Sequence, residues 1–141
     1  MLVDVIFIFV LLVLFQIKHL VIDFIVQLND ASSIKKFNCK GWFFPLLRHA
    51  GDHAIGTAII ALIVFSFYSG TLSLWCVFWA IKLGLLDLII HFTMDRIKAS
   101  PYMLGKFKYP SKEYFYSLGV DQTVHHLTHY LLIAILYALT H

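Results

Sequence analysis

Four long runs of apolar residues constrain the fold of this chain more than any other feature of its sequence. They occupy residues 3–28, 45–69, 72–99 and 118–140, and short polar or turn-forming stretches separate them. Crossing about 30 Å of hydrocarbon takes roughly 20 helical residues, so each run is long enough to span a bilayer. The runs lack the alternation of strands, and a helix satisfies its own backbone hydrogen bonds in lipid. The sequence therefore predicts an all-α integral membrane four-helix bundle, with residues 1–141 forming a single transmembrane domain.

The composition agrees with a protein that lies in lipid. Hydrophobic residues make up 60% of the chain and charged residues 13%, against about 25% charged residues in typical soluble domains. The first apolar run has no basic residue before it, carries Asp4 and lacks a small-residue cleavage pattern. It is predicted to be a retained helix rather than a signal peptide. Cys39 and Cys76 lie in different segments, and they predict neither a disulfide framework nor a cysteine metal site.

The lysine and arginine residues predict the orientation of the bundle. Most of them flank the first and last connections: Lys35, Lys36, Lys40, Arg48, Arg96, Lys98, Lys106, Lys108 and Lys112. The connection around Gly70 carries no charge. The positive-inside rule then puts both basic loops in the cytoplasm and both termini outside, an N-out and C-out arrangement. Because the basic residues are concentrated in these loops, the predicted partner is the lipid bilayer rather than nucleic acid.

Each apolar run also carries His and Asp side chains, most of them four residues apart. Their positions form one stripe on each helix: His19, Asp23 and Gln27; His49 and His53; Asp87, His91 and Asp95; and Asp121, His125 and His129. Ionisable groups are costly inside a membrane, and a spacing of four stacks them on one helix face, so the stripes indicate a function. One member of each stripe lies roughly 9–12 Å from the loop end of its helix, namely Asp23, His53, His91 and His125. The four stripes are therefore predicted to meet in one layer.

Metal binding is the predicted role of this layer. The candidate ligands are His19, Asp23, His49, His53, His91, Asp95, Asp121, His125 and His129. Imidazole and carboxylate ligands without thiolates suit a divalent transition metal, zinc foremost, as one ion or as two ions about 3.5–4 Å apart. The alternative is a buried network in which the Asp and His side chains hydrogen-bond one another without metal.

Several further polar residues lie in or beside the layer. Asp52 and Asp87 are predicted to orient a ligating histidine or to act as a catalytic base. Lys18 is expected to extend its ammonium group toward the membrane interface. Polar support between helices is predicted for three residues: Gln27, Gln122 and His126.

The succession of the segments HLVID, HAGDH, HFTMDRIK and DQTVHH resembles the domain-of-unknown-function family numbered 3307, a family of small bacterial and phage inner-membrane proteins. The resemblance covers nearly the whole chain and rests on His19, Asp23, Gln27, His49, His53, His91, Asp95, Asp121, Gln122 and His125. It implies a bacterial inner-membrane location and a metal-dependent hydrolase activity. This chain departs from such hydrolases in lacking their soluble portion, and His129 lies beyond the matching motif.

Three functions are compatible with the sequence. The first is a metal-dependent hydrolase at the cytoplasmic leaflet, acting on a lipid-borne or other phosphate-containing substrate. The second is a metal-ion or proton transporter, which needs a polar path through the outer half of the membrane. That half reads IFIFVLLVLF, IIALIVFSFY, LSLWCVFWAI and LLIAILYALT, so only an oligomeric interface could provide the path. The third is a non-catalytic phage or bacterial protein in which the polar layer fixes helix register.

Overall fold

The computed structural model describes residues 2–26 and 40–141, and within these ranges the chain is helical with no strand. Helix α1 covers Leu2–Leu20 and continues as a π-helix over Val21–Val26. Helices α2, α3 and α4 cover Phe43–Ser69, Leu74–Ala99 and Lys112–Thr140, and a 3₁₀ turn at Leu104–Lys106 lies between the last two. The prediction of four helices and an all-α fold is confirmed. Gln27 and the first basic loop up to Cys39 lie outside the described residues.

Three of the helical stretches are long and apolar enough to cross a membrane: Leu2–Val26, Phe43–Ser69 and Leu74–Lys106. Helix α4 is the longest of the four, at 29 residues, but its first half contains Asp121, Gln122 and several histidines. These polar groups lower its mean hydropathy, so its crossing of the membrane stays a prediction.

Capping side chains set where two of the helices begin. Ser111 accepts a hydrogen bond from the Tyr114 backbone N–H at 3.2 Å, so α4 begins at Lys112, six residues before the predicted start at 118. The segment KEYFYS, which mixes lysine with aromatic residues, precedes the fourth apolar run and so falls in the last loop of the sequence prediction. A serine N-cap nevertheless supports a helix there. Ser73 caps α3 in the same way through the Cys76 backbone N–H. Gly70, at φ +69°, ends α2 in the left-handed conformation that favours glycine.

The helices run antiparallel to their neighbours, and one end of the bundle is apolar. Rings from α1, α2 and α4 meet at this end, where Phe7 contacts Tyr68 at a centroid distance of 5.1 Å and Tyr137 at 6.4 Å. Below them lies a buried cluster with members on every helix: Leu11, Phe15, Ala61, Val64, Phe65, Cys76, Ala80, Leu83, Leu132, Ile133 and Leu136. The polar stripes occupy the opposite end, so the interior is divided into an apolar half and a polar half.

Small residues allow α2 and α3 to approach closely. A Cβ atom on Gly84 of α3 would lie 2.8 Å from the Ala54 carbonyl oxygen and 3.2 Å from the Ala58 Cβ of α2. Real Cβ atoms do not approach a carbonyl oxygen so closely, so the two backbones pack at a distance that only glycine permits. This contact is of the small-residue type that brings membrane helices together, and it holds the polar stripes of α2 and α3 side by side.

Replacing Gly84 by Ala is therefore expected to destabilise the bundle by about 1–3 kcal/mol, the usual cost of overpacking. Gly119 of α4 is the matched control, because nothing lies within 4 Å of a Cβ built on it. Gly119→Ala should be neutral or stabilising by about 0.5–1 kcal/mol, since alanine favours the helix. Thermal unfolding in detergent measures both effects. A Gly84→Ala protein as stable as the Gly119→Ala protein would show that the helices do not meet at this glycine.

Candidate metal centre

The Asp23 carboxylate lies at the centre of the polar half, on the π-helix that follows α1. Its Oδ1 atom lies 2.9 Å from His53 Nε2 and 3.2 Å from His49 Nε2, both on α2. Its Oδ2 atom lies 3.1 Å from His19 Nε2, one turn earlier on α1. π-Helical turns are rare and often occur at functional sites. Here the turn carries a carboxylate that contacts three imidazoles.

A second carboxylate, Asp95 of α3, joins the remaining helices. Its oxygens lie 3.4 Å from His49 Nε2 on α2 and 3.3 Å from His125 Nε2 on α4. His125 Nε2 also lies 3.3 Å from Asp121 Oδ1, one turn earlier on its own helix. His49 therefore stands between the two carboxylates of Asp23 and Asp95, and contacts of this kind run across all four helices.

Three imidazole rings form a stack through the middle of the site. The rings of His53 and His91 are 3.5 Å apart at an angle of 23°, and those of His91 and His125 are 3.9 Å apart at 24°. His91, between the other two, is 1% exposed. Neither of its ring nitrogens has a hydrogen-bond partner. A buried polar group without a partner is costly and calls for an explanation, of which a bound ion is one.

These contacts create three groups that could hold a metal ion. In each group one ligand atom from every member lies within 4.8 Å of all the others. The groups are His19, Asp23, His53 and His91; His49, His91 and Asp95; and Asp95, Asp121 and His125. In a tetrahedral zinc site with bonds near 2 Å, neighbouring ligand atoms stand about 3.3 Å apart. The nitrogen–oxygen distances above suit this spacing and suit hydrogen bonds equally well. The unpartnered Nε2 atom of His91 is compatible with a metal ligand, while its Nδ1 atom lies 3.7 Å from Asp87 Oδ1.

A cavity of about 340 Å³ reaches the site from one side. Five residues of the three groups line it: Asp23, His49, Asp95, Asp121 and His125. Lys98 and Ser117 line the wall next to them. A small molecule in this cavity can therefore touch the carboxylates and imidazoles directly, which is what a catalytic or binding site requires.

Comparison of the chain with models of protein families, with curated proteins and with solved structures finds no match. The resemblance to family 3307 therefore stays a prediction.

Eight of the nine predicted ligands belong to the three groups, and His129 does not. His129 is fully buried, and both of its ring nitrogens lack a hydrogen-bond partner. Its ring lies 5.4 Å from the ring of Phe15 and 5.4 Å from that of His19. It therefore stands one layer deeper, where the polar half meets the apolar half.

Two of the predicted support residues form hydrogen bonds in or beside the layer. Gln122 lies with its Oε1 atom 3.3 Å from His19 Nε2 and donates from its amide to Asp121 at 3.0 Å. His126 Nδ1 lies 3.1 Å from the side-chain amide of Gln16, a residue that the spacing argument did not single out. Gln16 and His126 connect α1 to α4 beside the site, which is the role expected of interhelical polar contacts.

Asp87 and Lys18 form a buried ion pair behind the site. Lys18 Nζ donates to Asp87 Oδ2 at 2.7 Å and to Thr57 Oγ1 at 2.9 Å, and the Thr57 hydroxyl donates to the same carboxylate oxygen at 2.5 Å. The expectation that Lys18 extends to the interface is wrong, because its side chain is 6% exposed. A buried carboxylate on α3 holds it inside the bundle.

The two predicted catalytic carboxylates lie away from the cavity. Asp87 Oδ1 stands 3.7 Å from His91 Nδ1, so its position suits orientation of that imidazole, and its other oxygen is occupied by Lys18 and Thr57. Asp52 is half-buried on α2 and belongs neither to the three groups nor to the cavity lining. Thr57 was missed by sequence reasoning, although it lies four residues after His53 and so continues the stripe of α2, a signal that could have found it.

Proposed function

We propose that this protein is a metal-dependent membrane hydrolase, which holds a divalent transition metal ion, zinc foremost, among the His and Asp side chains of its helices. One observation carries the proposal: the ligand atoms of His19, Asp23, His53 and His91 lie within 4.8 Å of one another, next to a cavity that Asp23 also lines. Structural zinc sites are usually closed and rich in cysteine, whereas catalytic sites use His and carboxylate ligands with an open position.

A divalent ion at this position makes a water molecule more acidic and polarises a phosphoryl or acyl oxygen. The chain supplies the remaining functions. Asp95 lines the cavity, and its two oxygens lie beside His49 and His125, so its carboxylate is near enough to a bound water to accept a proton from it. Asp87 positions His91 from behind. Carboxylate–histidine pairs of this kind fix the orientation of a metal-binding imidazole.

Transport is disfavoured by the other half of the bundle. Five large side chains that fill it are at most 1% exposed: Leu11, Phe15, Phe65, Leu132 and Leu136. Ion conduction needs polar or water-filled passage through the whole membrane. Among the described residues the polar groups of the site end at this apolar cluster, so a single bundle offers a reaction chamber rather than a channel.

The proposal places the cavity at the cytoplasmic leaflet of the bacterial inner membrane, with α4 as a fourth span. Lys98 and Lys108 line the cavity. Lys106 and Lys112 lie within a few residues of Lys108 in the sequence. Such basic residues stay on the cytoplasmic side. Hydrolysis of a membrane-impermeant ester by inverted vesicles, and not by right-side-out vesicles, tests this orientation.

Elemental analysis of detergent-purified protein tests the metal. We expect one or two tightly held transition-metal ions in each chain, their loss in His91→Ala and His125→Ala, and their retention in His141→Ala, a residue at the opposite, apolar end. Chelation should abolish ester hydrolysis and zinc should restore it. Fully folded metal-free protein contradicts metal binding. A metal-loaded protein that cleaves neither phosphate nor carboxylate esters contradicts the hydrolase.

A further inference from the structure

Part of the lining of the cavity is apolar and aromatic, and we call this part the apolar wall. The segment after α3 and the beginning of α4 provide it, through Leu104, Phe107, Tyr109, Tyr114 and Leu118. Carboxylates and imidazoles of the site line the same cavity. A cavity with both polar and apolar lining suits a ligand that is itself polar at one end and apolar at the other.

The apolar wall is held in place by backbone contacts. A Cβ atom on Gly105 would lie 2.6 Å from the Ala99 carbonyl oxygen, so the 3₁₀ turn packs directly against the end of α3. The Gly105 backbone N–H donates to the Ser100 carbonyl at 3.0 Å, and Lys108 Nζ donates to the Gly105 carbonyl at 2.9 Å. The wall is therefore formed before any ligand arrives.

Lys98 also lines the cavity. Its ammonium group pairs with Asp121, a fully buried carboxylate, while the lysine side chain itself is 39% exposed. Asp121 Oδ1 lies 3.3 Å from His125 Nε2. A flexible ammonium group at the cavity surface can leave this carboxylate for an incoming anion, and Asp121 then becomes available to the group that it forms with Asp95 and His125.

The charges of the cavity favour an anionic substrate over a neutral one. Three carboxylates line the cavity, those of Asp23, Asp95 and Asp121. They would repel an anion unless cations offset their charge. Lys98 and Lys108 line the same cavity, and the proposed ion adds positive charge. A neutral ester forms no ion pair with these lysines. A phosphate group gains a charge-assisted hydrogen bond from each ammonium group that it reaches.

The volume of the cavity limits the substrate further. At about 340 Å³, it lies at the lower end of the range of ligand pockets, which runs from about 300 to 1,000 Å³. It accommodates a phosphate group and the first part of one hydrocarbon chain, and the rest of the chain must leave along the apolar wall.

We infer that the substrate is a phosphate monoester of a lipid, and that Lys98 binds its phosphate group; this inference rests on the proposed hydrolase function. In the reaction the water oxygen forms a bond to phosphorus, and the bond from phosphorus to the alkoxy oxygen of the lipid breaks. One proton of the water goes to the leaving alkoxide, and the other stays with the released phosphate. The products are a lipid alcohol and inorganic phosphate.

Phosphate release from dodecyl phosphate and from butyl phosphate tests the lipid part, because both probes release a primary alcohol of nearly the same acidity and differ only in chain length. The kcat/KM of metal-loaded protein should be at least about tenfold higher for dodecyl phosphate, the effect of about two buried methylene groups. Equal values would assign the site to soluble phosphate esters. Faster hydrolysis of dodecyl acetate than of dodecyl phosphate would overturn the phosphate assignment. Absence of hydrolysis with all three probes would overturn the proposed function as well.

The role of Lys98 is tested by Lys98→Met. Loss of the ammonium group should raise KM for dodecyl phosphate about tenfold, corresponding to one charge-assisted hydrogen bond, with a smaller effect on kcat. Lys98→Arg keeps the charge and should stay near the wild-type KM.

Lys82→Met is the matched control: Lys82 Nζ lies over the Phe78 ring at 4.3 Å, outside the cavity. A wild-type KM in Lys98→Met, or equal rises in Lys98→Met and Lys82→Met, would overturn the assignment. If Lys98→Met does not fold, a raised KM in the folded Lys98→Arg protein would overturn it too.

Discussion

Asp23→Asn protein is expected to purify without tightly bound metal. The carboxylate of Asp23 lies within 3.2 Å of three imidazole nitrogens, those of His19, His49 and His53. It supplies the carboxylate of the group that it forms with His19, His53 and His91. An asparagine of the same shape replaces one carboxylate oxygen by an N–H donor and removes the negative charge, so it is a poor ligand. Loss of groups that merely support metal ligands costs 10–100-fold in affinity, and loss of this ligand should cost more than about 100-fold.

Asp4→Asn is the matched control for this prediction, because Asp4 lies on the same helix at the apolar end of the bundle. Its carboxylate lies 3.6 Å from His141 and is 30% exposed. Elemental analysis and zinc titration of the two variants in detergent compare their metal content and affinity. Wild-type zinc affinity in Asp23→Asn would place the ion elsewhere and remove the basis of the proposed hydrolase.

Removal of the Lys18 ammonium group is expected to give the largest loss of stability. Lys18→Met leaves the Asp87 carboxylate buried without its counter-charge, since both partners of the pair are at most 6% exposed. Breaking a buried pair by removing one partner costs about 3–5 kcal/mol, because the remaining charge is uncompensated. Chemical or thermal unfolding in detergent measures the change.

The double variant Lys18→Met with Asp87→Asn separates charge from packing. It removes both charges, and the Thr57 hydroxyl can still donate to the asparagine side chain at the position where it now donates to Asp87. Replacing both members of a buried pair is often close to neutral, so most of the lost stability should return. If the double variant is as unstable as Lys18→Met alone, the loss comes from the packing of the lysine stem against Gly56 and not from the unpaired charge.

The sequence predicted the layer well because the information lay in periodicity. A spacing of four residues defines a helix face, and the distance from the loop end defines a depth. Together they brought Asp23, His53, His91 and His125 to one level before any contact was known. In the structure the first two are in direct contact, and the rings of the last three are stacked.

Periodicity could not predict what depends on local backbone geometry or on partners from distant helices. The π-helix at Val21–Val26 changes the direction of Asp23 by an amount that no propensity signals. The burial of Lys18 depends on Asp87, 69 residues later. An apolar stem with a charged end fits the interface and a buried ion pair equally well, so only the three-dimensional partner decides between them.

Because the interior is divided into a polar half and an apolar half, the bundle contains a polar chamber that is closed at one end, and not a channel through the membrane. Under the proposed function, a ligand enters and leaves the polar half from the same side, because among the described residues the side chains of Phe15, Phe65 and Leu132 belong to the buried apolar cluster at its other end. Hydrolysis at this site would carry no net charge from one face of the bilayer to the other. Its free energy is therefore independent of the membrane potential, which acts only on charge that crosses.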